Sequence, residues 1–228
     1  MRKPFLPWYW FVREAVRLTF FKYHGGVTAL TPENVPKAGP VILAASHFST
    51  WDPPAIACTC PRWVRFLAKK ELFEKQPFGW LIRSVGAFPV RRGAGDTEAV
   101  RMALSMLAES EALLMFPEGS RGDGLALQPF QRGIVMLAKR SAAQVVPVGI
   151  HGTEKPVRAL NSRQQIQISY GKPRKLEDFA TEGEFLTWLR QEIHANCLAA
   201  GSQILPEACN KEGATDSLES AETPHPTL

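Results

Sequence analysis

With 228 residues, 45% hydrophobic and 21% charged, the chain has the composition of a globular protein with one sizeable core, or one domain with appendages. Its net charge of +5 is uneven: five acids and a single Lys fall in residues 201–228, which leaves +9 on the first 200 residues. A basic body suits an anionic membrane surface or an anionic substrate; with no RNA-binding signature and no dense Lys/Arg block, nucleic acid is the poorer fit. The four cysteines, Cys58, Cys60, Cys197 and Cys209, form no Cys-x-x-Cys pair, so a reducing compartment is expected and a zinc site is not.

Trp8, Phe11, Val12, Ala15, Val16, Phe20 and Tyr23 recur at helical spacing, which predicts an amphipathic segment over residues 1–25 with one continuous apolar face. Arg13, Glu14 and Arg17 lie opposite, joined by Trp10, Leu18 and Phe21. No uncharged run here exceeds nine residues, whereas a spanning helix needs about 20, so the segment is not expected to cross a membrane. It also lacks the cleavage site of a signal peptide. Basic residues among Trp, Tyr and Phe suit a helix in the headgroup region, making the protein peripheral, on a cytoplasmic face; packing on the domain's own core is the competing reading.

Residues 27–30 read as a short strand and 31–40 as a proline-punctuated connection. The apolar run Val41-Ile42-Leu43-Ala44-Ala45 has strand length, so His47 stands just past a strand's carboxyl end, where ligand sites of open α/β sheets lie. His47 and Asp52 are five apart, about 140° around an ideal helix, so a turn is needed to bring them together. Pro53 suits the first position of a helix and Asp52 the cap before it. A carboxylate bonded to one imidazole nitrogen fixes the tautomer, leaves the other nitrogen as a base and stabilises the imidazolium. No Ser or Cys sits in a nucleophile elbow, since Glu118-Gly119-Ser120-Arg121-Gly122 has Glu where the first Gly is required. The proton that His47 takes would then come from a substrate hydroxyl or from water. Taken alone, the pair also admits a bland reading, as a strand end and a helix cap.

Further along, a helix from Pro53, a strand over 64–68, a short helix over 77–83 and a helix after Asp96 alternate with a buried strand over 112–116. A helix over 133–140, strands over 144–150 and 165–170, and a final helix with a Thr181/Glu184 capping box complete the domain. This alternation predicts an α/β fold, a single domain over residues 26–200 with helices on a mostly parallel or mixed sheet. Residues 201–228, acidic and rich in Ser and Thr, are expected to be a disordered tail.

Three stretches follow His47-x-x-x-x-Asp52 in order: Gly86-Ala87-Phe88-Pro89-Val90-Arg91-Arg92, Phe116-Pro117-Glu118-Gly119-Ser120-Arg121 and Val145-Val146-Pro147-Val148-Gly149-Ile150. Together the four, over roughly residues 27 to 150, resemble the motifs of the glycerophosphate acyltransferase family, in particular its 1-acyl-glycerol-3-phosphate (lysophosphatidic acid) acyltransferases. The resemblance implies His47 and Asp52 as the catalytic pair and a glycerophosphate pocket of Arg92, Glu118, Gly119, Ser120 and Arg121, with Lys69 nearby. The family often has Asp where Arg91 stands here; spacing from Pro89-Val90 favours Arg92 for the phosphate.

Guanidinium groups bind phosphate bidentately, and backbone amides of Gly119 and Gly122 would add donors. Glu118, acidic beside a phosphate, is expected to bond an acceptor hydroxyl or Arg121. The fourth stretch is expected to shape the site or acyl pocket without performing chemistry. The implied reaction moves an acyl chain from acyl-CoA or an acyl carrier protein to a lysophospholipid hydroxyl, with no cofactor and no metal. Glycerol-3-phosphate or another lyso-lipid as acceptor, a thioesterase acting on water, and a non-enzymatic membrane module are the competing readings.

Overall fold

A computed structural model describes residues 6–23, 25–90, 97–153 and 165–205. The frame is set by β2 (Val41–Ala45), every residue of which is buried, as a continuous apolar run requires of a strand covered on both faces. It pairs in parallel with β5 (Ala112–Met115) on one side and β6 (Gln144–His151) on the other, with Leu43 opposite both Leu114 and Val146. Among the described residues these strands belong to one seven-stranded sheet, ordered β1-β7-β6-β2-β5-β3-β4. The remaining strands are β1 (Val27–Leu30), β3 (Val64–Lys69), β4 (Ala87–Val90) and β7 (Ile166–Tyr170). Every pair is parallel except β6 with β7, so the expected mixed α/β sheet is present.

Alternation along β2 divides the core. Ile42 and Ala44 face a cluster built from α4 (Thr97–Ala108), α5 (Gly133–Ser141) and α6 (Glu182–Ala199), including Leu107, Ile134, Phe185, Leu189 and Ile193. Val41, Leu43 and Ala45 face α2 (Asp52–Thr59), Phe21 and Tyr170. Each fully buried Leu or Ile contributes about 1.5–3 kcal/mol relative to exposure. The cap of α6 is close to expectation: Thr181 Oγ1 accepts from Glu184 N at 3.1 Å, while Glu184 reaches back to Ala180 N, one residue beyond the Thr181 N of a true box. Residues 201–205 still pack, with Ile204 buried against Leu127 and Leu205 N donating to Leu125 O; residues 206–228 lie outside the described residues.

The N-terminal helix is present but turned from its expected orientation. α1 (Leu6–Val16) continues into a π-helical stretch, Arg17–Phe21. Phe11 and Tyr23, expected on the apolar face, are 65% and 67% exposed, whereas Tyr9 and Phe21, which lie off that face, are buried. The reason is the row facing α2: Arg13 Nη1 donates to Cys60 O at 3.1 Å, Cys58 Sγ to Arg13 O, and Tyr9 packs beside them against Trp63. The wider π turn then rotates Phe21 into the core. No helix of the described residues is long and apolar enough to cross a membrane.

Candidate active site

After Ala45 the ladder extends by one bond, Ser46 N to Val148 O, and the chain leaves the sheet at its carboxyl end. The following loop closes around one carboxylate oxygen. Asp52 Oδ2 lies 2.8 Å from His47 Nδ1 and accepts from Phe48 N at 2.7 Å and Ser49 N at 2.8 Å. The turn that the five-residue spacing requires is therefore an in-folded loop with Asp52, fully buried, at its centre.

Asp52 does not cap α2 in the expected way. It is the first residue of that helix, and its carboxylate points back into the preceding loop. Pro53 and Pro54 have no N–H to offer, and the next amide, Ala55 N, is taken by Trp51 O. The carboxylate has no helical donor to cap, so it gathers the loop's donors.

An acceptor-only carboxylate facing Nδ1 requires that nitrogen to carry the hydrogen, which leaves the Nε2 lone pair of the neutral ring free. The ring is held on its flat side as well, stacked on Phe116 with centroids 3.9 Å apart and planes 17° from parallel. Only 10% of the His47 side chain is exposed. Phe116, at the end of β5, is thus a site residue; its place beside Pro117-Glu118 was the signal, but a buried-strand reading absorbed it.

Both backbone groups of His47 are gripped by the loop after β5. Its N–H donates to Glu118 Oε1 at 2.9 Å and its carbonyl accepts from Gly122 N at 2.8 Å. The other Glu118 oxygen accepts from Gln128 N at 2.7 Å. Glu118 therefore bonds backbone on both oxygens and lies 3% exposed, in place of the expected contact with an acceptor hydroxyl or Arg121. Burial pushes its carboxyl up to about 7, against the opposing pull of the Gln128 and His47 amides and the Arg190 charge.

The phosphate-binding expectations divide. The Gly119 and Gly122 amides, expected as phosphate donors, are engaged by Phe116 O and His47 O. Gly119 has φ +71°, the left-handed turn that a glycine serves there. Ser120 and Arg121 are exposed on the same loop, and Lys69 is exposed at the last position of β3, so these three face solvent near the carboxyl end of the sheet. Arg92 lies outside the described residues, just past the end of β4. The fourth stretch is buried β6 as expected, its Val148 O receiving Ser46 N.

Comparison with known proteins bears on the same segment. A 1-acyl-sn-glycerol-3-phosphate acyltransferase of Streptococcus pneumoniae (strain ATCC BAA-255 / R6) is 32% identical over 173 residues, 75% of this chain and 64% of that protein. The chain thus spans less than two thirds of that relative's length. A protein of the same name from Bacillus subtilis (strain 168) is 28% identical over 157 residues, covering 68% of this chain and 77% of the relative. The crystal structure of the 1-acyl-sn-glycerophosphate (LPA) acyltransferase PlsC from Thermotoga maritima has the same fold, with a TM-score of 0.65 over 87% of this chain and 83% of that one, at 23% identity. Residues 26–151 match the acyltransferase family. That match takes in both loops that hold His47 and covers over half of the sequence, and so the chain belongs to the acyltransferase family.

Proposed function

We propose that the protein transfers a fatty acyl chain from acyl-CoA or an acyl carrier protein to the free hydroxyl of 1-acyl-glycerol-3-phosphate, giving phosphatidic acid. The observation that carries this reading is the His47–Asp52 pair at 2.8 Å, which leaves Nε2 as the base, with the His47 carbonyl held by Gly122 N of the loop that bears Arg121. His47 Nε2 takes the hydroxyl proton as that oxygen attacks the thioester carbonyl, forming the C–O bond. The tetrahedral intermediate then collapses, the C–S bond breaks, and the leaving thiolate takes the proton back from the imidazolium. Asp52 stabilises that imidazolium, and general-base assistance of this kind is worth about 10²–10⁴ in rate.

In this reading Arg121, with Arg92 and Lys69, anchors the acceptor phosphate, so that the hydroxyl rather than water lies at His47. The reaction needs no metal or prosthetic group, and Asp52 Oδ2, already holding three donors, is better suited to orienting His47 than to ligating an ion. Acceptor and product are lipids, so the protein works as a peripheral protein at an anionic, cytoplasmic membrane surface. The N-terminal arm supports this: Arg17, Leu18, Lys22 and Tyr23 line a concavity of about 690 Å³, and Leu6 and Phe11 are exposed elsewhere on the arm.

The test is a transfer assay with the purified chain, radiolabelled acyl-CoA or acyl carrier protein, and a panel of acceptors, run with and without a chelator. Labelled phosphatidic acid from lysophosphatidate, unaffected by chelation and lost in His47→Ala, is expected. Transfer only to glycerol-3-phosphate or to another lyso-lipid would replace the acceptor assignment, and acyl-CoA consumption without any acceptor requirement would replace transfer by hydrolysis.

A further inference from the structure

We propose that Arg190, on α6 and outside the family-matched segment, is a positioning residue for His47, acting through the 127–128 peptide and Glu118; this rests on the acyl-transfer reading above. Arg190 is the one Lys or Arg of α6. Its Nη2 donates to Leu127 O at 2.8 Å and its Nη1 to Gln128 O at 3.1 Å, with the guanidinium 5.5 Å over the Phe130 ring. The peptide that joins Leu127 to Gln128 is then held at both ends. Its carbonyl accepts from Arg190, and its N–H, pointing the opposite way across the same rigid plane, donates to Glu118 Oε2 at 2.7 Å.

A cation at the oxygen end and a carboxylate at the hydrogen end both favour this one orientation of the peptide dipole, so the bonds reinforce each other. The other Glu118 oxygen takes the His47 N–H at 2.9 Å. Four groups in series, the Arg190 guanidinium, one peptide plane, one buried carboxylate and the His47 amide, thus tie α6 to the base. The same helix and its exit touch the assembly at two further points: Cys197 Sγ lies 3.4 Å from Ser46 Oγ, next to His47, and Leu205 N donates to Leu125 O at 2.7 Å.

The charges acting on Glu118 supply a readout that simple loop stabilisation would not move. Arg190 favours the ionised carboxylate, while burial and Asp52 oppose it. A protonated Glu118 has one oxygen that must donate, and it cannot accept both the His47 and Gln128 amides well. Loss of the Arg190 charge would therefore leave Glu118 protonated to higher pH and His47 less firmly held.

Turnover and both Michaelis constants would be measured from about pH 5 to 9 for the wild type, Arg190→Ala, Arg190→Gln and Arg190→Lys, beside thermal unfolding. Glu182→Ala, on the exposed start of α6, serves as the control. Arg190→Ala is expected to lower kcat about 10- to 100-fold with each KM within about threefold, and to move the acid limb of kcat to higher pH. Arg190→Lys, which keeps the charge, should restore the position of the limb more fully than Arg190→Gln, which keeps only a donor. Should Arg190→Ala fail to fold, the Lys and Gln variants decide. Variants that are less heat-stable but have wild-type kcat and an unmoved limb would overturn the proposal. If the wild type itself transfers acyl chains to no acceptor, the acyl-transfer reading falls instead, and slow acyl-CoA hydrolysis by the same His47 then serves to compare the variants.

Discussion

Replacing Asp52 with Asn changes one buried atom and separates two ways in which a carboxylate can serve His47. The Asn amide has two orientations. With its oxygen at the Oδ2 position it still accepts from Phe48 N, Ser49 N and His47 Nδ1; with its nitrogen there, an NH₂ group would face two backbone N–H donors. The first orientation wins, because the second forfeits two hydrogen bonds worth about 0.5–1.5 kcal/mol each and opposes like donors. The His47 tautomer is therefore preserved in Asp52→Asn, and Nε2 remains the base. What is lost is the negative charge beside the imidazolium that forms as His47 takes the proton. Two unit charges about 4 Å apart at an effective dielectric of about 20 interact by about 4 kcal/mol, which sets a loss of roughly 10³ in kcat as the upper end. The lower end, roughly 10², is the least that general-base assistance is normally worth. The assay is steady-state transfer to lysophosphatidate, with circular dichroism and thermal unfolding as folding controls. A folded Asp52→Asn with kcat within threefold of wild type would refute the charge argument.

Further outcomes follow from other parts of the structure. Arg121→Ala should raise the acceptor KM about 10- to 100-fold, as loss of one charge-assisted hydrogen bond of about 1.5–3 kcal/mol implies, while leaving acyl-CoA hydrolysis intact; an unchanged ratio of transfer to hydrolysis would remove Arg121 from the phosphate site. Glu118, with its carboxyl pushed up to about 7, binds its proton more tightly in the folded chain than in the unfolded one. Its contribution to stability is thus full below the usual value of 4.5 and declines as pH rises through about 7, so Glu118→Gln should flatten the fall in denaturation midpoint across that window. Gly149→Ala would drive a methyl group into the Asn196–Cys197 peptide of α6, where backbone cannot yield, and should cost about 1–3 kcal/mol or more in chemical denaturation. Phe11→Glu with Leu18→Glu should weaken sedimentation with anionic vesicles while leaving the fold intact; unchanged vesicle binding would exclude this side of the arm as the membrane contact.

How far the sequence could be read depended on the range of the interactions involved. Strand β2, the loop-then-helix after it and the α/β alternation were legible because each is written in neighbours along the chain: a continuous apolar run, Pro53 after Asp52, a change of period from two to 3.6. The pairing of His47 with Asp52 was legible for the same reason, since a five-residue loop leaves few ways to close. The rotation of α1 was not, because the face that turns inward depends on where Cys60 O accepts Arg13 and on a π turn at Arg17–Phe21, neither of which alters the periodicity of the segment itself.

The role of Glu118 was misjudged for a related cause. Its residue type and its place beside Arg121 suggested a ligand contact, but its two partners are backbone amides, at His47 and Gln128, and a backbone donor is present at every residue but proline, so no pattern of side chains announces it. Composition and local spacing by themselves determined which segments are strands and helices and which side chains could do acid–base chemistry. Only the tertiary structure decided which of those side chains face solvent and which brace the loops, because that depends on hydrogen bonds between distant parts of the chain, where α6 packs on β6 and Arg190 reaches Leu127 O.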